Sequence, residues 1–285
     1  MHPWDPDLLQ EHEDHVDFPS LRLLDVVDRF EDYLLFLEHI KVAPNTIVRL
    51  RSEHSTLAYG PHEHPIALSG VPPPPLFPQG LPLDKICILI CDEGYVAMTG
   101  YSSNDIASGR ELFTMEFKKP DVAPHVVDTM FVAWLNSTLA ILPISNASIL
   151  NFHVQGAFRQ MQWWDLLSVF DNAREVDINA ERAETFLDAM VGLWAASDDE
   201  QETLQFHPVL PMLEKLSLLR WGRTSRAMHT HLVECLEARE RIPLPPATLC
   251  LEGCEWTNKV CNPLLDEIKQ RVTIVELIWL DDEDE

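Results

Sequence analysis

Glycine is scarce in this chain, ten in 285 residues, and none of the ten builds a GxGxxG or GxxxxGK[ST] turn. Without such a turn there is no backbone cradle for a dinucleotide or a nucleoside triphosphate. Basic residues are also few: 21 Lys and Arg face 46 Asp and Glu, for a formal net charge of −25. A field of that sign repels phosphate backbones and anionic lipids, so neither nucleic acid nor membrane is an expected partner. No apolar run approaches the roughly 20 residues a bilayer-spanning helix needs. The start, Met1 to Asp7, lacks the basic residues and apolar core of a signal peptide. The sequons at Asn136 and Asn146 therefore read as chance, and the expected compartment is the cytosol or nucleus.

Metal and nucleophile signatures are missing as well. The six cysteines form no CxxC pair; Cys87 and Cys91 are spaced CxxxC, and Cys250, Cys254 and Cys261 are spaced CxxxC-x6-C. They lie in apolar segments and read as reduced structural thiols, with Cys87 and Cys91 assigned to the interior. The densest histidines, His12 with His15 and His62 with His64, do not form HExxH. Each pair also falls short of the three or four ligands zinc takes. His229 and His231 flank a helix stripe and read as an exposed pair. There is no GxSxG elbow, and no SxxK with its companion motifs. Carboxylate pairs mean little, because 46 acids generate them at every spacing. The expectation is no metal, no cofactor, no catalytic residue and no enzymatic activity.

What the chain does have is hydrophobic patterning. Hydrophobic residues make up 46% and charged residues 24%, the balance of a folded protein. Strand-like alternation at Leu21, Leu24 and Val26 precedes a helical stripe at Phe30, Tyr33, Leu34 and Leu37, and a second strand follows at Thr46 to Leu50. The same order recurs later. Leu150, Phe152 and Val154 precede a helix with Trp163, Leu166, Leu167 and Phe170. Val176 and Ile178 precede one with Ala183, Phe186, Leu187, Met190, Val191 and Trp194. Leu213, Leu216 and Leu218, an LxxLxL, precede one with Met228, Leu232, Cys235 and Leu236. Leu249 and Leu251 precede a helix capped by Asn262 with Pro263 in its first turn, and an apolar strand closes the series near Ile274 to Trp279. Strand-like runs also occur at Lys85–Cys91, Tyr95–Tyr101 and Leu112–Phe117, in an order that alternation does not fix.

Alternating strands and helices imply parallel strands with helical crossovers. A doubly wound sheet calls for near-continuous apolar strands and a glycine-rich turn; the strands here are short and alternating. The pattern therefore predicts an irregular leucine-rich-repeat-like solenoid of α/β class, with parallel strands on a concave face and helices on the convex one. The expected layout is an acidic polar leader (1–17), a single solenoid domain (18–280) interrupted by a proline-rich loop (58–83), and an acidic tail (281–285).

The segment Phe18 to Val26, the stretch Val42 to Leu50, and the C-terminal runs from Leu213, His231, Pro245 and Val272 resemble the repeat region of fungal F-box proteins. The resemblance implies substrate recognition within a ubiquitin ligase. The F-box itself is not visible, so the Skp adaptor and cullin are implied only if one lies upstream. Side chains projecting between the strand leucines supply the predicted protein-binding surface: Asp25, Arg49, Arg51, Asp177, Lys215 and Ser217, with Arg220 and Glu252 near strand ends. Two rival readings remain: a scaffold unrelated to ubiquitin, and an α/β hydrolase or metalloenzyme.

Overall fold

The computed structural model describes residues 16–28, 36–37, 39–43, 45–52, 83–91, 95–102, 110–118, 144–155, 158–180, 182–191, 193–195, 204–206, 209–219, 226–240, 246–253 and 262–278. The first half of the chain is strand-rich: β1 (Val16–Phe18), β2 (Leu23–Asp28), β3 (Ile40–Val42), β4 (Ile47–Ser52), β5 (Lys85–Cys91), β6 (Tyr95–Tyr101), β7 (Glu111–Lys118) and β8 (Ile149–Val154). Then come α1 (Gln160–Leu167), β9 (Glu175–Ala180), α2 (Ala183–Val191), β10 (Leu193–Ala195) and β11 (Leu204–Phe206). The last elements are β12 (Lys215–Leu219), α3 (Arg226–Arg239), β13 (Thr248–Glu252), α4 (Asn262–Arg271) and β14 (Ile274–Ile278).

Ten strands form one sheet in the order β14-β13-β12-β9-β8-β5-β6-β7-β4-β2. From β14 to β5 every pair is parallel, as are β7-β4 and β4-β2. Between these wings β6 runs antiparallel to both β5 and β7. The reversal follows from chain length. Three residues, 92–94, separate β5 from β6, whereas a parallel crossover needs about a dozen or more. The chain must turn straight back.

This mixed sheet overturns the expected leucine-rich-repeat solenoid, in which every strand runs parallel at a near-constant period. The fold is a mixed α/β domain with four α-helices among the described residues. The resemblance to the F-box repeat region falls with the solenoid, because it rested on leucine spacing, and alternating apolar strands of any sheet satisfy that spacing. Leucine-rich-repeat and ubiquitin-ligase labels are likewise without support from this fold.

The core is a consequence of alternation. On one face of the sheet, Val48, Phe113, Gly100, Ile86, Leu150, Val176, Leu216 and Leu249 stand in register across eight strands, and all are buried. The next inward row includes Leu50, Met115, Met98, Ile88, Phe152, Ile178, Leu218 and Leu251. The four helices supply the facing apolar stripes, such as Phe186, Leu187 and Met190 from α2 and Leu232, Cys235 and Leu236 from α3. Trp163 of α1 sits at the centre, edge-on to Phe152, Phe158 and Phe186 at 5.4, 4.9 and 5.2 Å, in the arrangement aromatic quadrupoles favour.

Strand starts are held level by shared acceptors. The carbonyls of Asp84, Ser148, Arg174 and Glu214 each take two successive N–H groups from the start of the next strand in the sheet. Side chains therefore line up in straight rows across β5, β8, β9, β12 and β13. Two small sheets lie outside this scheme: β1 pairs in parallel with β3, and β10 pairs antiparallel with β11. Hence Val16 and Asp17, expected in a polar leader, are strand residues, and Trp194, expected on the stripe of α2, lies in β10. The remaining leader, the proline-rich stretch 58–82, the tail, and Cys254, Cys261, His12, His15, His62 and His64 fall outside the described residues.

Candidate interaction face

The same alternation that buries one face of the sheet leaves the other without a helix among the described residues. One register row crosses it from edge to edge: Asp25, Arg49, Thr114, Thr99, Cys87, Asn151, Asp177, Ser217, Cys250 and Glu276. Every member is polar, charged or a cysteine, in contrast to the apolar row one residue away.

Charge is unevenly spread along this face. At one end a shallow depression of about 320 Å³ is lined by Asp25, Arg49, Arg51, Glu111, Thr114 and Glu116. Arg51 donates to both carboxylate oxygens of Asp25 at 3.0 and 3.1 Å, and Arg49 Nε donates to Glu111 at 3.2 Å. These pairs are solvent-exposed and worth at most about 1 kcal/mol each, so an incoming group exchanges them at little cost. At the other end stand Glu175, Asp177, Lys215, Glu252 and Glu276, with Lys215 level with Glu175 and Ser217 level with Asp177.

Between the two ends the strands β8, β5 and β6 carry few charges. Their contribution includes Asn151, His153, Cys87, Leu89, Ala97, Cys91, Thr99, Tyr95 and Tyr101, all partly buried, and the largely buried Lys85 and Ile149. The His153 ring is held on both sides, by the Asn179 amide at 3.0 Å and the Gln155 amide at 3.4 Å. Burial raises the Tyr95 phenol above its ordinary range, reinforced by the charge and hydrogen bond of Glu116. Burial also raises Tyr101, reinforced by Cys87 and Glu111. Both phenols remain neutral donors at physiological pH.

The thiols of the face respond to the same surroundings. Burial pushes Cys87 up, with Lys85 pulling the other way. Burial also raises Cys250, and Glu276, Glu252 and Asp177 add to the rise against Lys215. Cys87 lies on this open face rather than in the interior, because Ile86 and Ile88 take the inward positions. Cys91, four residues on from Cys87, is also only partly buried.

Of the residues expected to bind a protein, Asp25, Arg49 and Arg51 come together in the depression, and Asp177, Lys215 and Ser217 meet in the opposite wing. Glu252 is at the end of β13, level with Ile278. Arg220 lies outside the described residues. Glu111, Glu116, Tyr95 and Tyr101 were missed, since placing them requires the order of β5, β6 and β7. The histidines of α3 also depart from expectation. His229 is buried, and the His231 Nδ1 lies 2.6 Å from Asp188 of α2.

Among the described residues no group of three His, Cys, Asp or Glu side chains is arranged to hold a metal, and no helix is long and apolar enough to cross a membrane. No protein-family profile, curated protein or solved structure matches the chain.

Proposed function

We propose that this protein is a non-enzymatic binding module that receives another protein on the face of its ten-stranded sheet that carries no helix among the described residues. The carrying observation is the distribution of side chains on that face. A charge-poor centre with Tyr95 and Tyr101 lies between two charged wings. Protein interfaces have this anatomy, with charges depleted and tyrosine enriched at the core and a polar rim around it. The exposed ion pairs of the rim give orientation and encounter rate more than affinity. The net charge of −25 favours a partner with basic surface over a nucleic acid. A working place in the cytosol or nucleus accords with Cys87, Cys91, Cys235 and Cys250 being free thiols among the described residues.

The reading is tested by reversing three rim charges together, Arg49→Glu, Asp177→Arg and Lys215→Glu, and measuring capture of partner proteins by the tagged chain. With far-ultraviolet circular dichroism unchanged, capture should fall at least about tenfold, the factor that roughly 1.4 kcal/mol produces. Undiminished capture by the folded triple variant contradicts the proposal.

A further inference from the structure

The sheet ends, among the described residues, on β14, and this edge differs from its counterpart. Both outermost strands carry an apolar–acid–apolar triplet on the open face: Leu23, Asp25 and Val27 in β2, and Ile274, Glu276 and Ile278 in β14. In β2 the acid is matched by Arg51 at 3.0 Å. Glu276 has no ion pair with a described residue. Ile274 and Ile278, on either side of it, are 50% and 46% exposed.

The backbone of β14 is poised in the same direction. Ile274 N–H donates to Ala247, and the Ile278 carbonyl accepts from Gly253, so the even-numbered residues use their main-chain groups on β13. In an extended strand the N–H and C=O of one residue point to the same side. Val275 and Leu277 therefore direct theirs away from β13, to an edge on which no described strand pairs, where such groups template the addition of another strand.

We infer that the β14 edge accepts an extended segment of a partner protein in which a lysine or arginine is flanked two residues away on each side by β-branched apolar residues. This rests on the reading of the protein as a binder and names the chemistry of its partner. In an antiparallel addition, Val275 and Leu277 form the hydrogen-bonded pairs. Glu276 then faces its opposite residue across a non-hydrogen-bonded pair, where side chains approach most closely. A basic residue there meets Glu276, with Glu252 one strand further in, and apolar neighbours cover Ile274 and Ile278. The acidic run Asp281 to Glu285 begins three residues after Ile278 in sequence and adds to the preference for positive charge. A second copy of this chain is disfavoured as occupant, because it brings another −25 of charge to the contact.

The test uses the full chain and a fluorescein-labelled ten-residue peptide with a central lysine, valines two residues to either side and threonines between, read by fluorescence anisotropy. Saturable binding is expected, at least about tenfold tighter than that of the same peptide with glutamate at the centre, since opposite charges attract and like charges repel across a strand pair. Glu276→Lys should invert the preference, and N-methylation of the peptide on its β14-facing amides should abolish binding. No saturable binding, an unchanged preference in Glu276→Lys, or full binding of the methylated peptide overturns the inference. So does a chain dimer that the peptide does not compete apart. If the peptide fails while the triple variant Arg49→Glu, Asp177→Arg, Lys215→Glu still loses capture, the face reading stands and only the edge is wrong.

Discussion

Arg239 shows how single residues are held in this protein. It is fully buried, and its guanidinium donates to the carbonyls of Val209 and Leu210 at 2.8 and 2.6 Å. Leu210 adopts φ 51°, a left-handed conformation uncommon outside glycine, and the arginine takes up the carbonyl this turn exposes. One helical turn earlier, burial pushes the Cys235 thiol up to about 12, so it stays neutral beside the cation. Asp165 is a case with a testable pH signature. Burial raises its carboxyl above the usual 3.8, so in the window just above 3.8 the folded state holds a proton that the unfolded state has lost. Stability from this group is full below that window and is lost as pH rises through the folded value. Asp165→Asn should therefore raise the thermal midpoint at pH 7 relative to the unmodified chain, with the gain vanishing near pH 3. Paired melting curves at the two pH values check it, and an equal gain at both would place the cause elsewhere.

Among the elements, the β6–β7 pair depends on a missing side chain. A Cβ built on Gly100 would lie 2.2 Å from Cε1 of Phe113 and 2.7 Å from Cδ1 of Leu83, inside the closed core. The register also shifts between Gly100 and Tyr101, so the bulge and the close ring contact share one position. Gly100→Ala should destabilise the fold by about 1–3 kcal/mol, the usual range for overpacking, measured as a lower denaturant midpoint. An unshifted midpoint would mean that Phe113 moves away freely. The sequence pattern made most elements legible. Period-two alternation marks β8, β9, β12 and β13, an apolar run marks β14, 3.6-residue stripes mark α1 to α3, and the Asn262–Pro263 start marks α4. The pattern placed Arg49, Asp177 and Ser217 between buried apolar residues, Asp25 between the partly buried Leu24 and Val26, and Arg51, Lys215 and Glu252 each beside one buried leucine. Alternation carries no strand direction, however. The three-residue spacing between Cys91 and Tyr95 does, and giving it more weight than leucine spacing would have replaced the solenoid with a mixed sheet. The short strands β1 and β3 leave too few residues for any period, and Tyr95, Tyr101, Glu111 and Glu116 reach the site through pairings set by long-range register.

At the scale of the whole molecule, the described helices pack on one side of a ten-stranded sheet, and the register row across the middle of the other side is polar, charged or cysteine. Rows of buried residues and rows of polar ones differ by a single step along each strand, so the sequence that builds the core also builds the face. The central claim is that partners are received on this face rather than on the helices. Photo-crosslinking tests it most directly, with p-benzoylphenylalanine placed singly at Asn151 or Thr99 on the face and at Glu234, exposed on α3. Covalent partner adducts from Asn151 and Thr99, with none from Glu234, are the expected result. Adducts from Glu234 without any from the two face positions would contradict the account.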